Sequence, residues 1–247
     1  MSRYATDSRL IFDLGMNNGD DTAFYLSRGF NVVALEANPA LCARAEKRFH
    51  NAIETGRLVV RNAAIWDKNG EATFYLNLDN DHWSSLDPGW ASREESHCRE
   101  ISVPCVTLAS LIGEFGPPHY LKIDVEGVDD SVLAQLQESS LLPLYVSVED
   151  CRFGLQYIEA LAACGYDGFK LLDQSTVSSM TDPATGCVFP PGSSGPFGDD
   201  VPGKWRSHAE MVKLYSSTVR DRAGNRLAPR TQWWDIHCTH TGRRTQS

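Results

Sequence analysis

The chain has 247 residues, 42% hydrophobic and 22% charged, with a formal net charge of −9. That length suits one substantial core, and the composition is that of an ordinary soluble enzyme. The acidity argues against a nucleic-acid partner, whose phosphates need Lys and Arg, and no stretch approaches the length of a membrane span.

Residues 10–14 predict a short apolar strand running into the turn Gly15-Met16-Asn17-Asn18-Gly19. A helix over 20–28 stops at Gly29, and 31–36 is a second apolar strand ending in Glu36. Pro39 opens a helix to about residue 51, and 58–62 is a third strand. The rhythm then changes: Asn69-Gly70 is a hairpin signal, 72–78 is β-rich, 79–100 is polar with a short helix, and 101–106 is another strand. An apolar strand over 120–125 precedes a helix over 129–137. Strand 144–148, helix 158–164 and strand 169–173 follow. Residues 178–204 carry five glycines and five prolines, which predicts a loop of the kind that forms lids, with Phe197 between flexible flanks. A helix over 208–215 and a strand over 233–238 close the chain.

Alternating strands and helices predict a doubly wound, mostly parallel α/β sheet in a single domain over 1–247, with a β-rich insertion near 67–106 and a lid loop over 178–204. Seven cysteines form no Cys-x-x-Cys pair; the odd count without a signal peptide predicts reduced thiols and a cytoplasmic location. Arg220, Arg222, Arg226 and Arg230 are diluted by polar neighbours and read as a solvated face.

The leading strand, glycine turn, helix and acid-terminated second strand make a nucleotide-binding βαβ unit, in which the end-of-strand acid bonds a ribose. The turn does not suit a pyrophosphate. The dinucleotide fingerprint would place glycines at 17 and 20, where this chain has Asn17 and Asp20. Asp20 and Asp21 open the helix where a phosphate binder leaves bare N–H groups. They repel a diphosphate and suit ammonium or sulfonium charge, as in S-adenosylmethionine; the bland alternative is that they only cap the helix. Glu36, about 20 residues beyond the turn, fits the ribose hydroxyls.

Three segments carry a resemblance: Asp13-x-Gly15-x-Asn17-x-Gly19, Leu121-Lys122-Ile123-Asp124-Val125-Glu126-Gly127 and Ser147-Val148-Glu149, with Ser84-Ser85-Leu86 as a further short match. Together they resemble the FkbM-type methyltransferases, a Rossmann-like class I family that uses S-adenosylmethionine. The resemblance implies a sheet of about seven strands with the last antiparallel, and methyl transfer to a hydroxyl of a sugar or natural product, leaving S-adenosylhomocysteine. On that reading Asp13, Gly15, Asn17, Gly19 and Asp21 surround the amino-acid end of the cofactor. Glu36 takes the ribose, Asn62 and Ala63 flank the adenine, and Asp124 lies near the ammonium or the methyl group.

Methyl transfer is an in-line displacement whose main demand is alignment of nucleophile, methyl and sulfur. A hydroxyl acceptor must also lose its proton, so a base or metal is expected nearby. Asp124, Glu126, Glu149 and His237 are the candidates; Asp124, Glu149 and His237 could instead hold Mg²⁺ or another divalent cation. His82, Trp83, Ser84 and Ser85 are candidates for contact with the acceptor, and Trp90, Phe197 and Trp205 for lining its pocket. Two rivals stand beside this reading: a catalytically silent module that binds the cofactor or a partner, and a nicotinamide-dependent oxidoreductase or epimerase. The second needs pyrophosphate glycines and a Tyr-x-x-x-Lys acid–base pair, and the chain is expected to have neither. Methylation of RNA or protein is disfavoured by the acidic charge.

Overall fold

The computed structural model describes residues 9–242. The apolar run Leu10–Leu14 forms β1, buried along almost its whole length, as a central parallel strand must be. Helix α1 (Asp20–Ser27) leads to β2 (Asn31–Glu36), also buried beyond its first residue. Proline in the first turn and the Asn38 side chain, which accepts the Ala40 N–H, start α2 (Pro39–Arg48). The helix expected over 39–51 breaks at Phe49, so that α3 (His50–Glu54) is a separate piece before β3 (Leu58–Asn62).

Strands β4 (Ala64–Ile65), β5 (Gly70–Asn77) and β6 (Cys98–Val106) form a separate three-stranded sheet in the order β4-β6-β5. Asn69-Gly70 opens β5 rather than closing a two-residue hairpin. The antiparallel partners β5 and β6 pair from Gly70 with Cys105 to Asn77 with Cys98, and their connection carries the short α4 (Pro88–Ala91). Helix α5 (Leu108–Phe115), capped by the Thr107 side chain, was not anticipated from the sequence. Then come β7 (Tyr120–Ile123), α6 (Asp129–Glu138), β8 (Tyr145–Glu149), α7 (Gly154–Ala163), β9 (Gly168–Asp173), α8 (His208–Thr218) and β10 (Trp234–Thr239).

The main sheet has seven strands in the order β3-β2-β1-β7-β8-β10-β9. Strand β10 runs antiparallel to both its neighbours, and the remaining pairs are parallel. The order reverses between β1 and β7, and a crevice opens beyond the carboxyl ends of these two strands, where open α/β sheets bind their ligands. No helix among the described residues is long and apolar enough to cross a membrane. All seven cysteines are free thiols.

The Gly/Pro-rich segment over 178–204, expected as a lid loop, is packed in this structure. Phe197 is 5% exposed and stacks on Tyr120 with ring centroids 4.5 Å apart. It also meets the edges of Phe24, Tyr25 and Phe30. Arg28 pairs with Asp182 and Asp200 on this segment, and the Lys170 ammonium donates to the carbonyls of Asp199 and Val201. Phe197→Ala is therefore expected to destabilise the protein by about 3–5 kcal/mol, read as a shifted urea or thermal midpoint. A variant of unchanged stability would show the ring to be a mobile flap after all.

Candidate functional site

The turn after β1 is closed on itself. The Asn17 N–H donates to Glu36 Oε2 (2.8 Å), the Asn18 N–H to the Asn17 side chain (2.7 Å) and the Gly19 N–H to the Met16 carbonyl (3.0 Å). The Asp20 N–H donates to the Asn18 side chain (2.9 Å). No bare N–H nest is left at these four positions for a phosphate. Gly15 sits at φ 84, and a Cβ there would lie 1.8 Å from the Asp124 carbonyl oxygen. Only glycine lets the turn close against the end of β7. Asn17 is itself left-handed, at φ 50.

Glu36, 8% exposed, is fixed at both oxygens, since Oε1 accepts the Asn38 N–H at 2.7 Å. Burial raises its pKa to about 7, against the opposing pull of the Asn38 and Asn17 N–H groups. Each oxygen keeps a lone pair for a further donor, as a ribose-binding acid requires.

The helix-opening acids have different work. Asp21 accepts the Ser194 N–H (2.8 Å) and pairs with the buried Lys122 ammonium (3.2 Å), while Asp20 pairs with Arg48 (2.8 Å). Lys122 also reaches Asp13 (3.5 Å) and Asp124 (3.3 Å). Burial opposes its charge, but Asp13, Asp124 and Asp21 outweigh that and hold its pKa well up. Asp13 is fully buried, accepts from the Thr22 hydroxyl, and is pushed up to about 6 chiefly by burial. Asp13 and Asp21 thus brace the turn and the packed 178–204 segment, and neither lines the cavity.

The Lys122–Gly127 segment bends sharply beyond β7. Glu126 is left-handed at φ 51 and Gly127 at φ 89. The bend is held by Asp129, which accepts the N–H groups of Val125 and Gly127, and by the Ser85 hydroxyl, which donates to the Glu126 carbonyl. The Trp90 ring packs where a Gly127 side chain would go. Trp90 Nε1 (2.7 Å) and Arg93 (2.9 Å) both donate to Glu126 Oε2. Carboxylate oxygens of Asp124, Glu126 and Glu149 all lie within 4.8 Å of one another. Burial, then the nearby Asp124 charge, pushes Glu126 up to about 7. Glu149 is raised well above the usual carboxylate range by burial and by Asp124, Glu126 and Asp235.

Two cavities meet at this cluster, sharing Asp124, Glu126 and His82. The first opens between β1, β2 and the smaller sheet, with about 620 Å³ of non-atom space, part of it open to solvent. Gly15, Asn17, Glu36, Ala63, Asp124 and Ser84 line it, with Leu35, Ile65 and Phe74 as apolar wall. Its described lining has four carboxylates and no Lys or Arg. The acidity inferred for this crevice is real, but it comes from the walls and not from Asp20 and Asp21. Asn62 does not line it; its amide ties down the Glu36 and Ala37 carbonyls. Gly19 precedes α1 at φ 81 and Ser85 braces the bend, both outside the lining.

The second cavity is an open cleft of about 1780 Å³, lined by Trp83, Trp90, Glu149, Asp235 and five arginines among others. His237 is not there. It pairs in register with Ser147 and Lys170, is 1% exposed, and has no partner at either ring nitrogen. Burial, with Lys170 nearby, lowers its pKa to about 3, so it is neutral. A metal held jointly by Asp124, Glu149 and His237 does not fit this arrangement; Asp235, opposite Glu149 in the register, is the residue of β10 that reaches the edge. Of the three aromatic residues expected at the acceptor, only Trp90 lines the cleft; Trp205 stacks on Tyr145 and Phe197 is core. Arg220, Arg226 and Arg230, read from the sequence as a solvated face, line it.

A seven-stranded Rossmann-like sheet with an acid-terminated β2, a glycine turn and an acidic cleft at the switch point belongs to the class of adenosyl-cofactor methyltransferases. A family model, the Methyltransferase FkbM domain, matches residues 13–172. The chain belongs to this family of S-adenosylmethionine-dependent methyltransferases. It resembles the structure of the methyltransferase FkbM from Methylobacillus flagellatus KT at 13% identity and a TM-score of 0.43, over 69% of this chain and 41% of that one. This chain thus spans less than half the length of that relative. Precorrin-6y C5,15-methyltransferase from Geobacter metallireducens GS-15 overlays at 8% identity and TM-score 0.41, covering 95% of this chain and 81% of that chain. The 1,6-didemethyltoxoflavin-N1-methyltransferase of Burkholderia thailandensis, which has S-adenosylhomocysteine bound, overlays at 11% identity and TM-score 0.38, covering 94% and 70%. No curated protein matches the sequence.

Proposed function

We propose that this chain methylates a hydroxyl group of a small molecule, taking S-adenosylmethionine in the first cavity and the acceptor in the second. The observation that carries this reading is the shared wall of the two cavities, where Asp124 and Glu126 face both and Glu149 faces the second. The first cavity fits the cofactor by the chemistry of its donors: Glu36 for ribose hydroxyls, apolar Leu35 and Ile65 beside a base, and carboxylates for cationic charge. The cofactor, when bound, supplies a methyl group on a sulfonium leaving group.

Glu149 is the acceptor's general base in this reading. Its neighbours Asp124 and Glu126 raise its proton affinity, which suits a group that must take a proton near neutral pH. Trp90 and Arg93 fix Glu126 in place beside it. Asp124, half-committed to Lys122, keeps the junction between the two cavities negative, and Asn17 and Gly15 shape its floor. Asp13 and Asp21 act at a distance, through Lys122. One domain over the whole chain, and no metal, complete the proposal.

The test is transfer of labelled methyl from S-adenosylmethionine to a panel of hydroxylated glycosides and polyketides, with and without EDTA. The expected result is labelled product that EDTA does not diminish. Activity lost to EDTA and restored by Mg²⁺ would make the three carboxylates a metal site instead. Calorimetry showing NAD bound more tightly than S-adenosylhomocysteine would end the methyltransferase reading.

A further inference from the structure

Cations gather along one part of the second cavity, although the chain as a whole carries a net −9. Arg93 and Arg152 are each matched by their own carboxylate, Glu126 at 2.9 Å and Asp87 at 2.7 Å. The segment between α8 and β10 differs. Arg220 takes Asp150 at 3.0 Å, a buried carboxylate that also accepts the Tyr215 hydroxyl. Arg226 reaches that carboxylate only at 4.0 Å. It is held instead by the neutral Gln232 and Pro229 carbonyls, and its Nε is buried with no acceptor. The Arg230 side chain is 92% exposed, with Glu94 at 3.9 Å as its ion-pair partner, a contact that water screens almost completely. Two guanidiniums on the wall of one cleft therefore lack a carboxylate at hydrogen-bonding distance. The backbone carbonyls that hold Arg226 fix the position of its fork without neutralising its charge.

We propose that Arg226 and Arg230 receive an acidic group of the acceptor, so that the substrate is a hydroxylated small molecule bearing a carboxylate or a phosphate. Guanidinium forks are the usual partner of both oxyanions. The carboxylate cluster at the cavity junction would repel such a group, which orients the acceptor with its anion toward Arg226 and Arg230 and a hydroxyl toward Glu149. The inference rests on the second cavity being the acceptor site and narrows the acceptor class.

Trp83, Trp90 and Trp233 line the same cleft, so tryptophan fluorescence of the full chain reads binding there. The probes are phenyl β-D-glucuronide and phenyl phosphate, with phenyl β-D-glucoside as the neutral match, titrated with S-adenosylhomocysteine present. At least one anion is expected to bind about tenfold more tightly than the glucoside, by a margin that shrinks with added salt. Which anion binds distinguishes carboxylate from phosphate. Arg226→Gln/Arg230→Gln is expected to remove the margin with S-adenosylhomocysteine affinity unchanged, and Arg230→Gln alone, at an exposed side chain, to reduce it without touching the fold. Equal affinity for charged and neutral probes, no saturation by either anion, or a margin that survives in the double variant overturns the proposal. If S-adenosylhomocysteine itself fails to bind, the proposed function falls, and the same titrations without it still decide this point.

Discussion

Glu149→Gln is expected to lower kcat for hydroxyl methylation by about 10²–10⁴-fold while S-adenosylhomocysteine binds as before. Gln keeps the size and hydrogen-bonding shape of the side chain and removes only its ability to take a proton. The residue lines the second cavity and not the first, so cofactor affinity is the internal control. The pH profile sharpens the test. Glu126, in the same cluster, titrates at about 7, and Glu149 is raised by burial and by its acidic neighbours. A carboxyl group is a base only once it has lost its proton, so kcat/KM should rise with pH along an acid limb near or above neutrality. In Glu149→Gln that limb should disappear. A variant with wild-type turnover and an unchanged profile would remove Glu149 from the chemistry.

Glu36→Ala is expected to weaken S-adenosylhomocysteine binding by about 10- to 100-fold, the effect of losing hydrogen bonds to a charged group, measured by calorimetry. Glu36→Gln separates binding from folding. The Glu36 pKa is raised from 4.5 to about 7 in the folded protein, so the native state holds a proton more tightly than the unfolded chain does. The cost of ionising it is absent below about 4.5, grows as pH rises, and is complete above about 7. At pH 8, without cofactor, Glu36→Gln should therefore melt no lower than the parent, and above it if the amide keeps the Asn17 and Asn38 contacts. Intact cofactor affinity in both variants would place the ribose elsewhere.

The first half of the sheet was legible because β1 and β2 are unbroken apolar runs punctuated by glycine and closed by an acid. The same clarity placed Gly15 in the turn after β1 and Glu36 at the end of β2, whereas the strand expected over 120–125 ends at Ile123 and gives way to a bend. Helix α5 was hidden by its brevity, by Gly113 within it and by Pro117-Pro118 just beyond. The 178–204 segment misled for a different reason. Glycine and proline exclude regular hydrogen-bonding patterns, but they do not stop Phe197 from entering an aromatic core. His237 was expected at the site from its place in the final strand, beside parallel strands that deliver their last residues to the reactive edge. Strand β10 runs the other way, so its beginning lies beside Glu149 and His237 lies two residues deeper. The arginines of 220–230 were beyond reach, since their meaning depends on a cleft built from residues distant in the chain. A Tyr-x-x-x-Lys spacing is present at Tyr166 and Lys170, against the expectation that the chain has none. The Tyr166 hydroxyl bonds the Pro143 carbonyl and the Lys170 ammonium bonds carbonyls of the 178–204 segment.

The self-satisfied amides from Asn17 to Asp20 have a consequence for selectivity. ATP, ADP and NAD offer the same adenosine that Glu36 and the apolar wall would hold in the proposed function. Their phosphates, arriving at the tip of α1, would find every one of these N–H groups engaged and, among the described residues, a cavity lining without Lys or Arg. On that reading competing nucleotides would be turned away at the tail, without any group that inspects the purine.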